Sequence, residues 1–101
     1  MIKIGTYNFP EQISQTTVDD ISFTITSDLI PVSITGVRFE FSNGVNLISP
    51  TNVTITNGPN GQFVIPSFLM TWGKGYYKYK MFLTLTGGAI KQYAEGSWRI
   101  L

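Results

Sequence analysis

The chain has 101 residues, of which 43% are hydrophobic and 14% aromatic, so its size is that of one domain with a buried core. Its formal net charge is +1, which provides no strong field to attract nucleic acid or an acidic membrane surface. Neither cysteine nor histidine occurs, which excludes disulfides, Ser-His-Asp and Cys-His catalytic centres, and histidine-based zinc sites. With no apolar run of roughly 18 residues and no secretory signal, we expect neither membrane insertion nor classical secretion.

The first sixteen residues are predicted to form an amino-terminal arm or an edge strand, followed by one domain over residues 17–101. Apolar side chains recur in this segment at Ile2, Ile4 and Tyr7. Unpaired strand edges are natural templates for another chain. We therefore predict that the segment packs on a neighbouring subunit, with these three residues as partner contacts.

Apolar and polar residues alternate with a period of two in the middle of the chain, which predicts half-buried strands over 20–26, 36–41 and 53–56. In the first strand Ile21, Phe23 and Ile25 are expected to point inward. The segment 57–61 has the sequence Asn-Gly-Pro-Asn-Gly, which predicts a turn that joins the third strand to an apolar strand at 63–65.

A long hairpin is predicted from residue 76 to residue 100, with Gly87-Gly88 as a two-residue turn in which Thr86 faces Ala89. This register places apolar residues on one face and polar residues on the other. The inner pairs are Tyr77 with Trp98, Tyr79 with Gly96, Met81 with Ala94, Leu83 with Gln92, and Leu85 with Ile90. The outer pairs are Lys78 with Ser97, Lys80 with Glu95, Phe82 with Tyr93, and Thr84 with Lys91.

Phe82 and Tyr93 are the two aromatic residues that this register places on the outer face. One hypothesis is that they form an exposed pair that binds a protein partner, because aromatic anchors often dominate interfaces. The alternative is that the pair only stabilises the sheet, since cross-strand aromatic pairs contribute roughly 0.2–1 kcal/mol by themselves. The two hypotheses have equal weight.

Acidic residues provide no recognisable catalytic or metal-binding pattern. Asp19 and Asp20 are neighbours that mark the start of a strand, and a calcium site would need further oxygen ligands at regular spacing. We therefore predict no catalytic residue, no metal site and no cofactor. Trp72 and Trp98, with Tyr76, Tyr77 and Tyr79, could form a platform for a sugar. Packing is the favoured interpretation, because Trp98 and Tyr77 fall on the inner face, whereas Trp72 is expected to be partly exposed in the loop before Gly73.

Short strands separated by Gly, Pro and Asn predict an all-β fold, specifically an immunoglobulin-like antiparallel β-sandwich of about seven strands. Residues 34–41, 60–63, 75–77 and 93–100 resemble, in order and spacing, the immunoglobulin-like amino-terminal domain of siphophage baseplate upper proteins and related small phage virion proteins. The similarity covers residues 17–101.

This resemblance implies a non-enzymatic structural protein of a tailed-phage virion, assembled in the bacterial host cytoplasm. Within the virion, the chain is expected to be a capsid auxiliary or decoration protein, or a component of the neck, tail or baseplate. Its expected partners are other virion proteins, and a homo-oligomer within the assembly is possible, whereas nucleic acid and membranes are not expected. The alternative function is a carbohydrate or host-surface binding module, which predicts exposed aromatic residues beside amide or carboxylate groups in a concave patch.

Overall fold

Strands account for nearly all the regular structure in the computed structural model, which describes residues 5–27, 30–48 and 53–101. A single turn of 3-10 helix, Gly58–Asn60, accompanies them. The strands are β1 (Gly5–Thr6), β2 (Thr17–Val18), β3 (Ile21–Thr24), β4 (Thr26–Ser27), β5 (Ile30–Pro31), β6 (Ile34–Phe41), β7 (Asn46–Ile48), β8 (Thr54–Asn57), β9 (Gln62–Ile65), β10 (Phe68–Leu69), β11 (Gly75–Leu85) and β12 (Ile90–Ile100).

The main sheet has five strands in the order β1-β12-β11-β6-β7, and a second sheet has three in the order β3-β9-β8. The two short pairs are β2 with β10 and β4 with β5. The predicted all-β sandwich is confirmed. The main sheet is mixed rather than purely antiparallel, because β1 runs parallel to β12.

The second sheet extends beyond its three strands because β2 and β10 continue the pairing of β3 with β9. Thr17 lies opposite Leu69, and Ile21 lies opposite Ile65, in the same antiparallel register. Pro66 interrupts the ladder because proline has no backbone N–H. Ser67 bridges the interruption: its backbone N–H donates to the Asp20 carboxylate at 2.6 Å, and its hydroxyl donates to the carbonyl of Val18.

The core forms where the inward residues of both sheets meet. In β6, Val37, Phe39 and Phe41 are buried, and the predicted alternation is confirmed there. Phe23 of β3 stacks on Phe63 of β9 with ring centroids 4.9 Å apart, and it also contacts Phe39 across the sandwich at 6.0 Å. Burial of each such side chain stabilises the fold by roughly 1.5–3 kcal/mol.

Strands β11 and β12 form the predicted hairpin, and its register is confirmed from Tyr76 to Met81. Lys80 lies opposite Glu95 with both side chains exposed, and Met81 lies opposite Ala94 with both buried. Leu83 is also buried, as predicted. The inner face of β11 therefore follows from alternation of period two.

The predicted register is wrong between Phe82 and the turn. The loop has three residues, Thr86 to Gly88, because Leu85 rather than Thr86 faces Ala89: the backbone N–H of Leu85 donates to the carbonyl of Ala89 at 2.8 Å. Both glycines have the positive φ that was predicted, 105° and 97°. The longer loop shifts the pairing by one residue, so that Phe82 lies opposite Gln92, Leu83 opposite Lys91 and Thr84 opposite Ile90.

A β-bulge at Tyr93 restores the register. Tyr93 is the extra residue between Gln92 and Ala94, and such a bulge places two residues of one strand against one of its neighbour. Consequently Ile90, which was predicted to point inward, lies opposite the outward Thr84 and is 59% exposed.

Residues 5–14, the edge segment, run along the free side of β12. The backbone N–H groups of Tyr7, Phe9 and Gln12 donate to carbonyls of alternate β12 residues at 3.0–3.1 Å. Phe9 is buried and stacks on Trp98 with centroids 4.3 Å apart. The described part of the predicted arm therefore packs as an edge element on its own chain.

Candidate interaction surfaces

The outer side of the main sheet carries a grid of charged and aromatic side chains, which we call the charged face. Its members project from the three central strands and are Arg38, Glu40, Tyr76, Lys78, Lys80, Phe82 and Glu95. They point outward because they alternate with the buried residues of β6, β11 and β12. The inner residues of these strands thus determine which side chains the face presents.

Lys80 occupies the middle of the grid. It lies opposite Glu40 of β6 on one side and opposite Glu95 of β12 on the other. Opposite charges on directly neighbouring strands attract one another, so this row stabilises the register of three strands. It also leaves the row with a central cation between two anions, a pattern that a partner could match with charges of its own.

Arg38 and Phe82 form the next row. The guanidinium carbon lies 4.7 Å from the centroid of the Phe82 ring, a cation-π contact, and one terminal nitrogen lies 3.7 Å from the Glu40 carboxylate. The Nε atom of Arg38 is buried without a hydrogen-bond partner. The Phe82 ring thus packs against the guanidinium group of Arg38 on the outer face.

A shallow cleft of about 560 Å³ opens on the charged face beside the edge segment. Tyr76 is its one strongly exposed aromatic ring among the described residues, at 66% exposure. Asn8, Glu40 and Glu95 contribute polar groups to its lining, together with Lys78. The sequence named Tyr76 only as one of five aromatic residues of a possible sugar platform, and its outward position next to the inward Tyr77 is the signal that distinguishes it from the others.

Ser97 anchors the floor of this cleft to the edge segment. It lies opposite Lys78, is only 9% exposed, and its backbone N–H and hydroxyl both donate to the Asn8 side-chain oxygen, at 3.1 and 3.2 Å. Tyr7 continues the attachment, because its carbonyl accepts a hydrogen bond from the Tyr79 hydroxyl. One side of the cleft is therefore formed by the amino-terminal part of the chain.

The outer side of the second sheet is different in character. Its exposed or half-buried side chains are Ser22, Thr24, Thr54, Thr56, Gln62 and Val64. All are uncharged, so the charged side chains of the two outer sheet surfaces are concentrated on one side of the sandwich.

The predicted exposed pair of Phe82 and Tyr93 is wrong. Phe82 lies on the outer face, but the bulge turns Tyr93 toward the core, where its hydroxyl donates to the carbonyl of Thr26 at 3.1 Å. The loop was longer than predicted, so the alternation in β12 changed phase between Gln92 and Ala94. A partner contact at Phe82 stays a prediction.

Tyr7 is half buried, and its ring packs edge-on against Phe9 and Phe23 at 5.2 Å each. Burial raises the pKa of its hydroxyl. These contacts are within its own chain, and its role toward a partner stays a prediction. Ile2 and Ile4 lie outside the described residues.

The tryptophans lie in or against the core, as the favoured interpretation had it. Trp98 is 1% exposed, and its indole N–H donates to the carbonyl of Pro10 at 2.9 Å. Trp72 is half buried and packs edge-on against Phe41 at 4.8 Å. Of the five aromatic residues considered as an alternative sugar platform, only Tyr76 is available to a ligand as a largely exposed ring.

Within residues 5–27, 30–48 and 53–101, no three acidic side chains come together in a way that could hold a metal ion. Asp19 and Asp20 are both exposed at the junction of β2 and β3. The one helix in those residues is the 3-10 turn, far too short to cross a bilayer.

No protein-family model matches the chain, and no curated protein matches it.

Proposed function

We propose that this chain is a non-enzymatic structural protein of a tailed-phage virion that acts through protein-protein contacts made by its charged face. The observation that carries the proposal is the concentration of exposed cations, carboxylates and aromatic rings on one sheet surface. Aromatic and arginine side chains are enriched in protein interfaces, and charge patterns select partners. The proposed location is a capsid decoration, neck, tail or baseplate position.

The strand order supports an immunoglobulin-like topology as part of this proposal. In that fold the third, sixth and seventh strands form one sheet, and the second, fifth and fourth form the other. In this chain the first of these sheets corresponds to β6-β11-β12, and the second corresponds to β3-β9-β8. Tyr77, near the start of β11, donates its hydroxyl to the carbonyl of Gly73 at 2.7 Å, as the tyrosine corner of immunoglobulin-like domains does. The resemblance to phage domains rests on sequence motifs in the same region.

The direct test is the protein content of purified particles. In virions from cells that encode this chain, mass spectrometry is expected to detect it at a fixed ratio to the major capsid protein. A cryo-electron microscopy map is expected to contain density for the sandwich with its charged face against another protein. Particles that lack the chain would overturn the proposal.

A charge reversal tests the surface. The double substitution Lys78→Glu and Lys80→Glu is expected to reduce incorporation about tenfold or more, because unmatched charges at an interface cost several kcal/mol. The matched control is Ser22→Glu with Thr24→Glu, which places two carboxylates on the uncharged outer surface of the second sheet. Equal incorporation of both variants would assign the contact to another surface.

The cleft beside Tyr76 favours a second candidate function, carbohydrate binding. An exposed aromatic ring next to an amide and two carboxylates is the combination expected of a site for a sugar, whose apolar face stacks and whose hydroxyls form hydrogen bonds. A glycan array tests this candidate. Binding that Tyr76→Ala abolishes, and that Phe82→Ala retains, would support it, and an array without binding would remove it.

A further inference from the structure

The edge segment pairs with β12 through backbone hydrogen bonds of the kind that a strand from a separate chain would form. Its backbone donates to the carbonyls of Glu95, Ser97 and Arg99, and the backbone N–H of Leu101 donates to the carbonyl of Gln12 at 2.8 Å. These bonds make it an added parallel strand on an otherwise free sheet edge, which is how sheets accept peptides from other chains.

A socket in the core receives the segment. Phe9 inserts between the sheets, where its ring contacts Trp98, Tyr79 and Phe23 at centroid distances of 4.3, 5.0 and 6.2 Å. Gly96 leaves room for the segment, because a Cβ atom there would overlap the carbonyl of Tyr7. The socket therefore fits this particular segment, and an identical segment from another copy would fit equally well.

One short turn joins the edge segment to the rest of the fold. Gln15 lies in this turn with a φ of 66°, the one positive φ among the described residues other than glycine. L-residues disfavour this conformation, and an extended Gln15 would carry the segment away from its own β12. The connection is therefore suited to act as a hinge.

We infer that residues 5–14 exchange between two copies of this chain, so that the edge segment of each copy occupies the socket and β12 edge of the other. The exchanged pair repeats the hydrogen bonds to β12 and the ring contacts of Phe9 that the closed monomer makes, and the conformation of the hinge differs. Exchange is therefore expected at high local concentration. The inference rests on the proposed function, because it names a second copy as one partner in the assembly.

Cysteine pairing tests the exchange, because the chain has no cysteine of its own. Thr6 and Glu95 are exposed partners in neighbouring strands, and strands about 4.8 Å apart are within the range that a disulfide bridges. Thr6→Cys and Glu95→Cys, made in separate chains, are unfolded together under reduction, refolded at high concentration and oxidised. The disulfide between the two chains is measured by intact mass.

The expected yield of this mixed disulfide is about tenfold or more above that of a control mixture, because docking holds the two thiols at a high effective concentration. The control pairs Ser22→Cys with Glu95→Cys, whose positions lie on different sheets. Equal yields would overturn the exchange. A double variant with both cysteines in one chain is expected to close internally at low concentration, and failure to close would overturn the docking on which the exchange depends.

The hinge is tested separately. Gln15→Gly is expected to lower the mixed-disulfide yield, because glycine accepts the positive φ of the closed monomer, and Gln15→Val is expected to raise it, because β-branched residues resist that φ. Equal yields from both would overturn the hinge.

If the chain is present in particles while the mixed disulfide stays at the control level, the exchange fails and the proposed function stands.

Discussion

Single residues explain why the amino-terminal part of this chain is integral to its fold. Gly96 allows the close approach of Tyr7, and the buried Tyr79 secures it with a hydrogen bond to the Tyr7 carbonyl. The adjacent Asn8 ties the segment to Ser97. Together these contacts cover the free edge of β12 with the amino-terminal segment.

Gly96→Ala is expected to destabilise the fold by about 1–3 kcal/mol, because the added methyl group overpacks the site against the Tyr7 carbonyl. Urea unfolding measures this loss. The matched control is Gly5→Ala, where a Cβ atom meets nothing within 4 Å and the change is expected to stay within about 0.5 kcal/mol. Equal effects of the two substitutions would contradict the close approach.

Tyr79 is expected to make stability sensitive to alkaline pH. Burial, followed by repulsion from Tyr7, raises the pKa of Tyr79 above its ordinary value. The folded state therefore retains the proton that the unfolded chain loses, so stability declines as the pH rises above about 10, the ordinary pKa of tyrosine.

Tyr79→Phe is expected to cost about 1 kcal/mol at neutral pH, through the lost hydrogen bond, and to make the alkaline decline shallower. Thermal melts between pH 8 and pH 11 measure both effects. Tyr76→Phe, which removes an exposed hydroxyl, is the control and should follow the unmodified protein. An alkaline decline that is unchanged in Tyr79→Phe would rule out this residue as its source.

The second sheet and the β11–β12 hairpin each contain an irregularity in their strand pairing. The second sheet continues across Pro66 because side chains replace the missing ladder bond, and the hairpin tolerates a three-residue loop because a bulge at Tyr93 restores its register. In both places an irregularity in one strand is matched by a compensating feature nearby. Beyond the bulge, the apolar faces of β11 and β12 are therefore aligned from Met81 and Ala94 to the open end of the hairpin.

Asp20→Ala is expected to cost about 0.5–1.5 kcal/mol, because the backbone N–H of Ser67 loses its carboxylate acceptor at the interruption of the ladder. The matched control is Asp19→Ala, which removes the same charge from the neighbouring exposed position. Chemical unfolding of both variants compares them. A loss of stability that is the same in both would show that charge, rather than the hydrogen bond, is responsible.

Gly87→Ala is expected to cost roughly 1–2 kcal/mol, because an L-residue is strained at the φ of 105°. Gly73→Ala is the control, since Gly73 is exposed, its added Cβ meets nothing within 4 Å, and its φ lies outside the left-handed region. Thermal unfolding gives both values. No difference between the variants would contradict the loop conformation.

At the scale of the whole molecule, one aromatic cluster connects both sheets and the edge segment. Phe9 lies at its centre, with ring contacts to β12, β11, β6 and β3. The residues of this cluster are uncharged, and a group of charged side chains projects instead from the outer side of the main sheet. The sandwich thus separates a stabilising interior from the surface that we propose for binding.

Phe9→Ala is expected to destabilise the protein by about 3–5 kcal/mol, because it leaves a cavity at the meeting point of the two sheets. Phe82→Ala is the control: its ring lies on the outer face, and loss of the Arg38 contact is expected to cost about 0.5–1 kcal/mol. Urea unfolding compares the two. A large loss in Phe82→Ala would place that ring in the core and contradict its assignment to the charged face.

The sequence by itself determined the all-β class, the turn at 57–61, and the inward residues of β3, β6 and β11, because alternation of period two and turn chemistry act over a few neighbouring residues. Only the tertiary structure decided the inward direction of Tyr93, the exposure of Ile90 and the docking of residues 5–14 beside β12. Those features depend on loop length, on a bulge and on contacts between residues about 90 positions apart, where local patterns carry no information.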